Sequence, residues 1–130
     1  MMKTLHETAI GVATAVGLVF AGALPVQAQA AVGPGYVVVE LKVTDAAAFE
    51  EYVEKAPPTI EQYGGRFVVL AANAQTVEGA EPDGFVTVIR FDSVQAAQDW
   101  LTSPEYSAVK GLRHASATTR QLLVEGLPVD

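Results

Sequence analysis

The sequence predicts an α+β domain of order β-α-β-β-α-β, with a four-stranded antiparallel sheet and its helices on one face. Three observations lead there. Four runs rich in β-branched residues with period-two alternation occupy 36–43, 66–73, 85–91 and 118–125. Apolar residues at helical spacing fill the segments between the first and second runs and between the third and fourth. The second and third runs are joined only by a loop containing Glu78-Gly79-Ala80-Glu81-Pro82-Asp83-Gly84, whose composition suits tight turns.

The first 30 of the 130 residues stand apart from that domain. Lys3 opens a weakly positive start, residues 9–24 carry no charge, and Ala28-Gln29-Ala30 places small residues where a signal peptidase requires them. This is the layout of a secretory signal peptide cleaved after Ala30. Its apolar run is shorter than the ~20 residues that span a bilayer. The expectation is a periplasmic or secreted product, free of the membrane after cleavage, with residues 31–130 forming one domain. The chain has no cysteine, so thiol chemistry, cysteine-ligated metals, disulfides and lipid attachment at cysteine are all excluded. The net charge is −7 and no basic stripe interleaved with aromatics offsets it, which argues against a nucleic-acid partner.

After Gly33-Pro34-Gly35, the first strand sends Val37, Val39, Leu41 and Val43 to one face and Tyr36, Val38, Glu40 and Lys42 to the other. Thr44-Asp45 caps a helix carrying Phe49, Tyr52, Val53, Ala56, Ile60 and Tyr63, with a break expected at Pro57-Pro58 and a left-handed cap at Gly64-Gly65. The strand from Arg66 is apolar on both sides between Phe67 and Ala72. The third strand alternates Phe85, Thr87, Ile89 and Phe91 with Val86, Val88 and Arg90. Ser93 caps a helix with Val94, Ala97, Trp100 and Leu101. Ser103-Pro104-Glu105 then starts another bearing Tyr106, Val109, Leu112 and Arg113, so the second helical region is split. This order is the ferredoxin-like arrangement. Helices cover only one of two apolar sheet faces, so the other is expected to be covered by a second copy, giving a homodimer.

Tyr63-Gly64-Gly65-Arg66-Phe67, Val77-Glu78-Gly79, Ser103-Pro104-Glu105-Tyr106, Lys110 with Leu112-Arg113, and Leu123-Val124-Glu125-Gly126 resemble the bacterial domain of unknown function 1330. The resemblance covers residues 35–126. It implies a ferredoxin-like fold pairing as a dimeric α/β barrel, in a superfamily that also holds small monooxygenases, haem-degrading enzymes and stress-responsive barrels. Two departures stand out: Leu70-Ala71-Ala72-Asn73 replaces an Arg-Gly-Gly segment usual after the second strand, and Arg90 stands where a carboxylate is usual.

Candidate chemistry is sparse. Arg66 and Arg90 are candidate anion clamps, with Tyr36 and Tyr106 as further ligand-binding residues and Glu40 as an alternative, structural partner for Arg90. His114, near a helix C-terminus, is the candidate proton-transfer residue. Metal-ligand clusters, phosphate-cradling glycine loops and dinucleotide fingerprints are absent from the sequence, so no cofactor or metal is expected. Three readings follow: a dimer binding a small apolar or carboxylated ligand between sheet and helices, a cofactor-independent enzyme of monooxygenase or isomerase type, and a structural or stress-associated dimer. Asn73, Trp100 and His114 do not match the order and spacing needed for haem degradation.

Overall fold

A computed structural model describes residues 31–129; the expected signal peptide and its cleavage site lie outside the described residues. Strands β1 (Gly35–Val43), β2 (Arg66–Ala72), β3 (Phe85–Phe91) and β4 (Ala117–Glu125) form one antiparallel sheet in the order β2-β3-β1-β4. Helix α1 (Ala46–Gln62) connects β1 to β2; α2 (Val94–Leu101) and α3 (Pro104–Ser116) connect β3 to β4. The ferredoxin-like fold and the split second helix are as the sequence predicts.

Capping follows the sequence. The side chains of Asp45, Ser93 and Ser103 accept hydrogen bonds from the backbone N–H groups of Ala48, Ala96 and Tyr106 at 3.1, 3.0 and 3.0 Å. The exit from α1 uses its two glycines for different reasons. Gly64 takes φ +80°, a conformation costly to residues with a Cβ. Gly65 packs so closely that a Cβ there would lie 2.5 Å from Phe91 and 2.7 Å from Ile60.

The expected break at Pro57-Pro58 does not occur, since α1 runs through both prolines. Each proline removes one hydrogen bond to the carbonyl four residues back, at Val53 and Glu54, and both of those residues are exposed. Water can replace the missing donors. Thr59 adds a bond from its own hydroxyl to the Ala56 carbonyl at 2.7 Å, which ties the following turn.

The core lies on the helix side of the sheet and includes Val37, Val39, Leu41, Ile89, Phe91, Ala56, Ile60, Trp100, Tyr106 and Val109. Phe91 and Trp100 stack with centroids 5.5 Å apart, and Trp100 meets Tyr106 at 4.1 Å. Helix α1 packs on α3 more than on the strands. Its polar ties also run to helices: the Tyr52 and Tyr106 hydroxyls are 3.0 Å apart, Trp100 Nε1 donates to the Thr59 hydroxyl at 3.0 Å, and Tyr63 donates to Glu105 at 2.7 Å.

Among the described residues no helix covers the opposite face. Register places three rows across it: Arg66, Arg90, Tyr36 and Val124; Val69, Val88, Val38 and Leu122; Ala72, Val86, Glu40 and Arg120. The middle row is wholly apolar, with Val69 and Leu122 exposed. Strand β2 reaches this register through two irregularities, between Phe67 and Val69 and between Val69 and Ala72, and Ala71 adopts φ +46°. The bulges turn Leu70 and Ala71 toward the helix side while leaving Val69 on the open face.

Gly65→Ala is expected to destabilise the fold by about 1–3 kcal/mol through overpacking against Phe91 and Ile60. Gly111→Ala, inside α3 with open space around the added methyl, is expected to stabilise it by about 0.5–1 kcal/mol. Urea unfolding of the two variants measures both.

Candidate functional site

Between α1 and the helix side of the sheet lies an apolar cavity of about 330 Å³. Its floor is Val39, Leu41, Thr87 and Ile89, and its roof is the α1 stripe of Phe49, Val53, Ala56 and Ile60. Trp100 and Arg113 reach it from the other two helices. Leu70, 63% exposed, Val53 and Phe85 are lining residues that also reach solvent, marking the mouth. The space exists because α1 is tied to α2 and α3 and stands off β2 and β3.

The polar lining residues are Tyr52, Thr87, Arg113 and Gln121. Thr87 accepts a hydrogen bond from the Ala71 N–H at 2.9 Å, which helps hold the β2 bulge. Burial pushes the Tyr52 phenol well above its ordinary value, with the adjacent Tyr106 hydroxyl adding to the shift and Arg113 opposing it. Tyr52 is therefore a neutral hydroxyl throughout the physiological range. Arg113 is 6% exposed. Its Nε donates to the Tyr106 hydroxyl at 3.2 Å, and one terminal nitrogen lies 3.4 Å from His114 Nε2. Among the described residues no carboxylate pairs with it.

The five residues singled out from sequence do not meet in one place. Tyr36, Arg90 and Arg66 are consecutive across the end row of the open face, on the side of the sheet away from the cavity. Arg90 pairs with Asp92 at 3.5 Å, not with Glu40, because Glu40 lies two rows away and is engaged by Arg120. Tyr106 is fully buried beneath the cavity and acts through its bonds to Tyr52 and Arg113. His114 is exposed at the end of α3 and touches the site only through Arg113. The residue that sequence reasoning passed over is Arg113. The available signal was its helical spacing from Tyr106 and Val109, which puts an arginine on a buried stripe.

With this geometry in view, the family assignment is direct. A model of the "Domain of unknown function (DUF1330)" matches residues 34–127. The chain belongs to the DUF1330 family. Among curated proteins nothing matches the sequence. Solved structures share the fold at low identity. RPA0582, a protein of unknown function from Rhodopseudomonas palustris, is similar at 20% identity, with 79% of this chain and 89% of that one covered and TM-score 0.63. SnoaB, a cofactor-independent oxygenase from Streptomyces nogalater, is similar at 16% identity, with 75% and 96% covered and TM-score 0.56. HapK from Hahella chejuensis is similar at 18% identity, with 74% and 95% covered and TM-score 0.53. These similarities establish the fold of this DUF1330 chain.

Two substitutions test the polar contacts on the two sides of the sheet. Thr59→Val leaves the buried Trp100 N–H without its acceptor and is expected to cost about 1–3 kcal/mol in chemical unfolding. On the open face, the bond from Arg120 lowers the Glu40 pKa below its ordinary 4.5. That contribution is fully present above the unfolded value and disappears as pH falls through the lowered one. Arg120→Gln is accordingly expected to reduce the loss of stability between neutral and strongly acidic pH, read from urea midpoints at each pH.

Proposed function

We propose that this chain is an exported, homodimeric DUF1330 protein that binds a small, largely apolar molecule in the cavity between α1 and the sheet. The observation that carries the reading is the cavity itself. A close-packed domain of this size tolerates few voids larger than a water molecule, yet here about 330 Å³ stands open beneath α1 with a mouth to solvent. The volume lies at the lower end of the range for small-molecule sites, and the predominantly apolar lining with a few convergent polar groups fits their usual composition.

The open face supports the dimer. An apolar row of Val69, Val88, Val38 and Leu122 with charged residues in the rows on either side suits a second copy of the same sheet. Export rests on the first 30 residues of the sequence.

Binding is favoured over turnover. Among the described lining residues there is no histidine or carboxylate, and burial holds the Tyr52 phenol protonated, so the lining offers no evident general base near neutrality. The fold shared with a cofactor-independent oxygenase leaves such chemistry as the second reading.

A thermal-shift screen against small apolar metabolites tests the binding. Saturable stabilisation is expected, reduced at least tenfold in affinity by Ala56→Leu, which directs added carbon atoms into the cavity. Loss of selectivity for the unfilled cavity would sink the reading. For the dimer, light scattering is expected to give twice the chain mass, and Val88→Asp to give a monomer; a wild-type monomer at micromolar concentration contradicts the pairing.

A further inference from the structure

The cavity contains one feature that an apolar ligand alone does not explain. Arg113 is 94% buried by its 6% exposure, lines the cavity, and has no carboxylate partner among the described residues. A guanidinium has five N–H donors in a planar fork. Here Nε is used by Tyr106, one terminal nitrogen makes a long contact with His114, and the Tyr52 hydroxyl lies close enough to interact, but these partners are neutral groups and no carboxylate accepts from the fork. A buried charge needs a counter-charge or a wet surrounding. The carbonyls at the end of α3 favour a cation in the last turn, but they do not occupy the donors of the fork.

The geometry points to a ligand that brings the missing charge: a small monoanion, with a carboxylate head on the Arg113 fork and a mainly apolar body along Phe49, Val53, Ala56, Phe67 and Leu70. This rests on the cavity being a ligand site and adds the chemical class of what fills it. Arginine and carboxylate match as a planar, two-pronged pair. Tyr52, kept neutral by burial, offers a hydroxyl donor beside the fork without opposing an anion. Gln121 lies on the same side of β4, paired with Val39 on the cavity floor, and its carboxamide can donate as well. Among the described residues that line the cavity none is acidic, so none of them repels a carboxylate. The volume, at the lower end of the range for small-molecule sites, suits a compact ligand.

Helix α3 explains how the charge comes to be buried. Arg113 lies seven residues after Tyr106, on the same stripe, and the Tyr106 ring is fixed between Trp100 and the Tyr52 hydroxyl. The guanidinium is therefore held by packed aromatic groups and has little freedom to swing into solvent. A preorganised fork gains affinity because its ordering cost is met on folding.

Trp100 is the only tryptophan in the chain and lines the cavity, so its emission reports occupancy directly. The protein of residues 31–130 would be titrated with a series of ω-phenylalkanoates and the matching ω-phenylalkanols, identical in body and different in head. The expected result is saturable change in Trp100 emission with both, and at least tenfold tighter binding of the best acid than of its alcohol. Arg113→Met should abolish that preference while leaving alcohol binding within about threefold, a change equivalent to less than ~0.7 kcal/mol. Equal affinity of acid and alcohol for the wild-type protein overturns the carboxylate assignment and leaves the cavity reading standing; this comparison does not depend on the variant folding. A preference for the acid that persists in a cooperatively folded Arg113→Met protein likewise overturns the role of Arg113. Failure of the whole series to perturb Trp100 removes the cavity reading and this inference with it.

Discussion

Helix α1 is tied to its neighbouring helices and not to the sheet, and the internal organisation of the domain depends on that. Tyr52 reaches Tyr106, Thr59 receives the Trp100 indole N–H, and Tyr63 reaches Glu105, three links along one side of the helix. With those contacts in place the adjacent stripe of Phe49, Val53, Ala56 and Ile60 forms one wall of the cavity. Polar ties of this kind are directional, so they hold α1 at a set height. A purely apolar interface would be free to settle and close the gap, as cores do around many cavities.

The same arrangement gives the two faces of the sheet different roles. On the helix side, apolar surface from α1 and β2 is left exposed to a cavity with a mouth. On the open side, Val69, Val88, Val38 and Leu122 form an apolar row with charged residues in the rows on either side. Strand β2 serves both sides because its bulges change which residues face which way. Val69 belongs to the open face, whereas Leu70 and Ala71 line the cavity. A regular strand of the same length could not supply two successive residues to the cavity, since its side chains alternate.

Most of the fold was legible in the residues. Period-two strands, serine and aspartate caps, and Gly64 at a helix exit are local signals, and the structure follows them. The helix through Pro57-Pro58 was not legible, because the local cost of two prolines is outweighed by the ties on either side of them. The site was harder still. Isolated charges in strands drew attention to Arg66 and Arg90, yet register puts both on the open face. Arg113 looked like one more basic residue at a helix end. Its significance comes from α1 standing off the sheet, which is a tertiary fact with no local signature, and the bulges that turn Leu70 inward are equally silent in a run of apolar residues. His114, one position on, is rotated away to solvent by the helical period.

The central claim is that the buried guanidinium beneath α1 marks a ligand site. Nuclear magnetic resonance of labelled protein during titration with 4-phenylbutyrate tests it most directly. The account predicts saturable shifts of the Arg113 Nε–H and Trp100 Nε1–H signals, with small changes at Tyr36, Arg66 and Arg90 on the opposite face. Saturable shifts confined to Tyr36, Arg66 and Arg90, with the Arg113 and Trp100 signals unmoved, would contradict it.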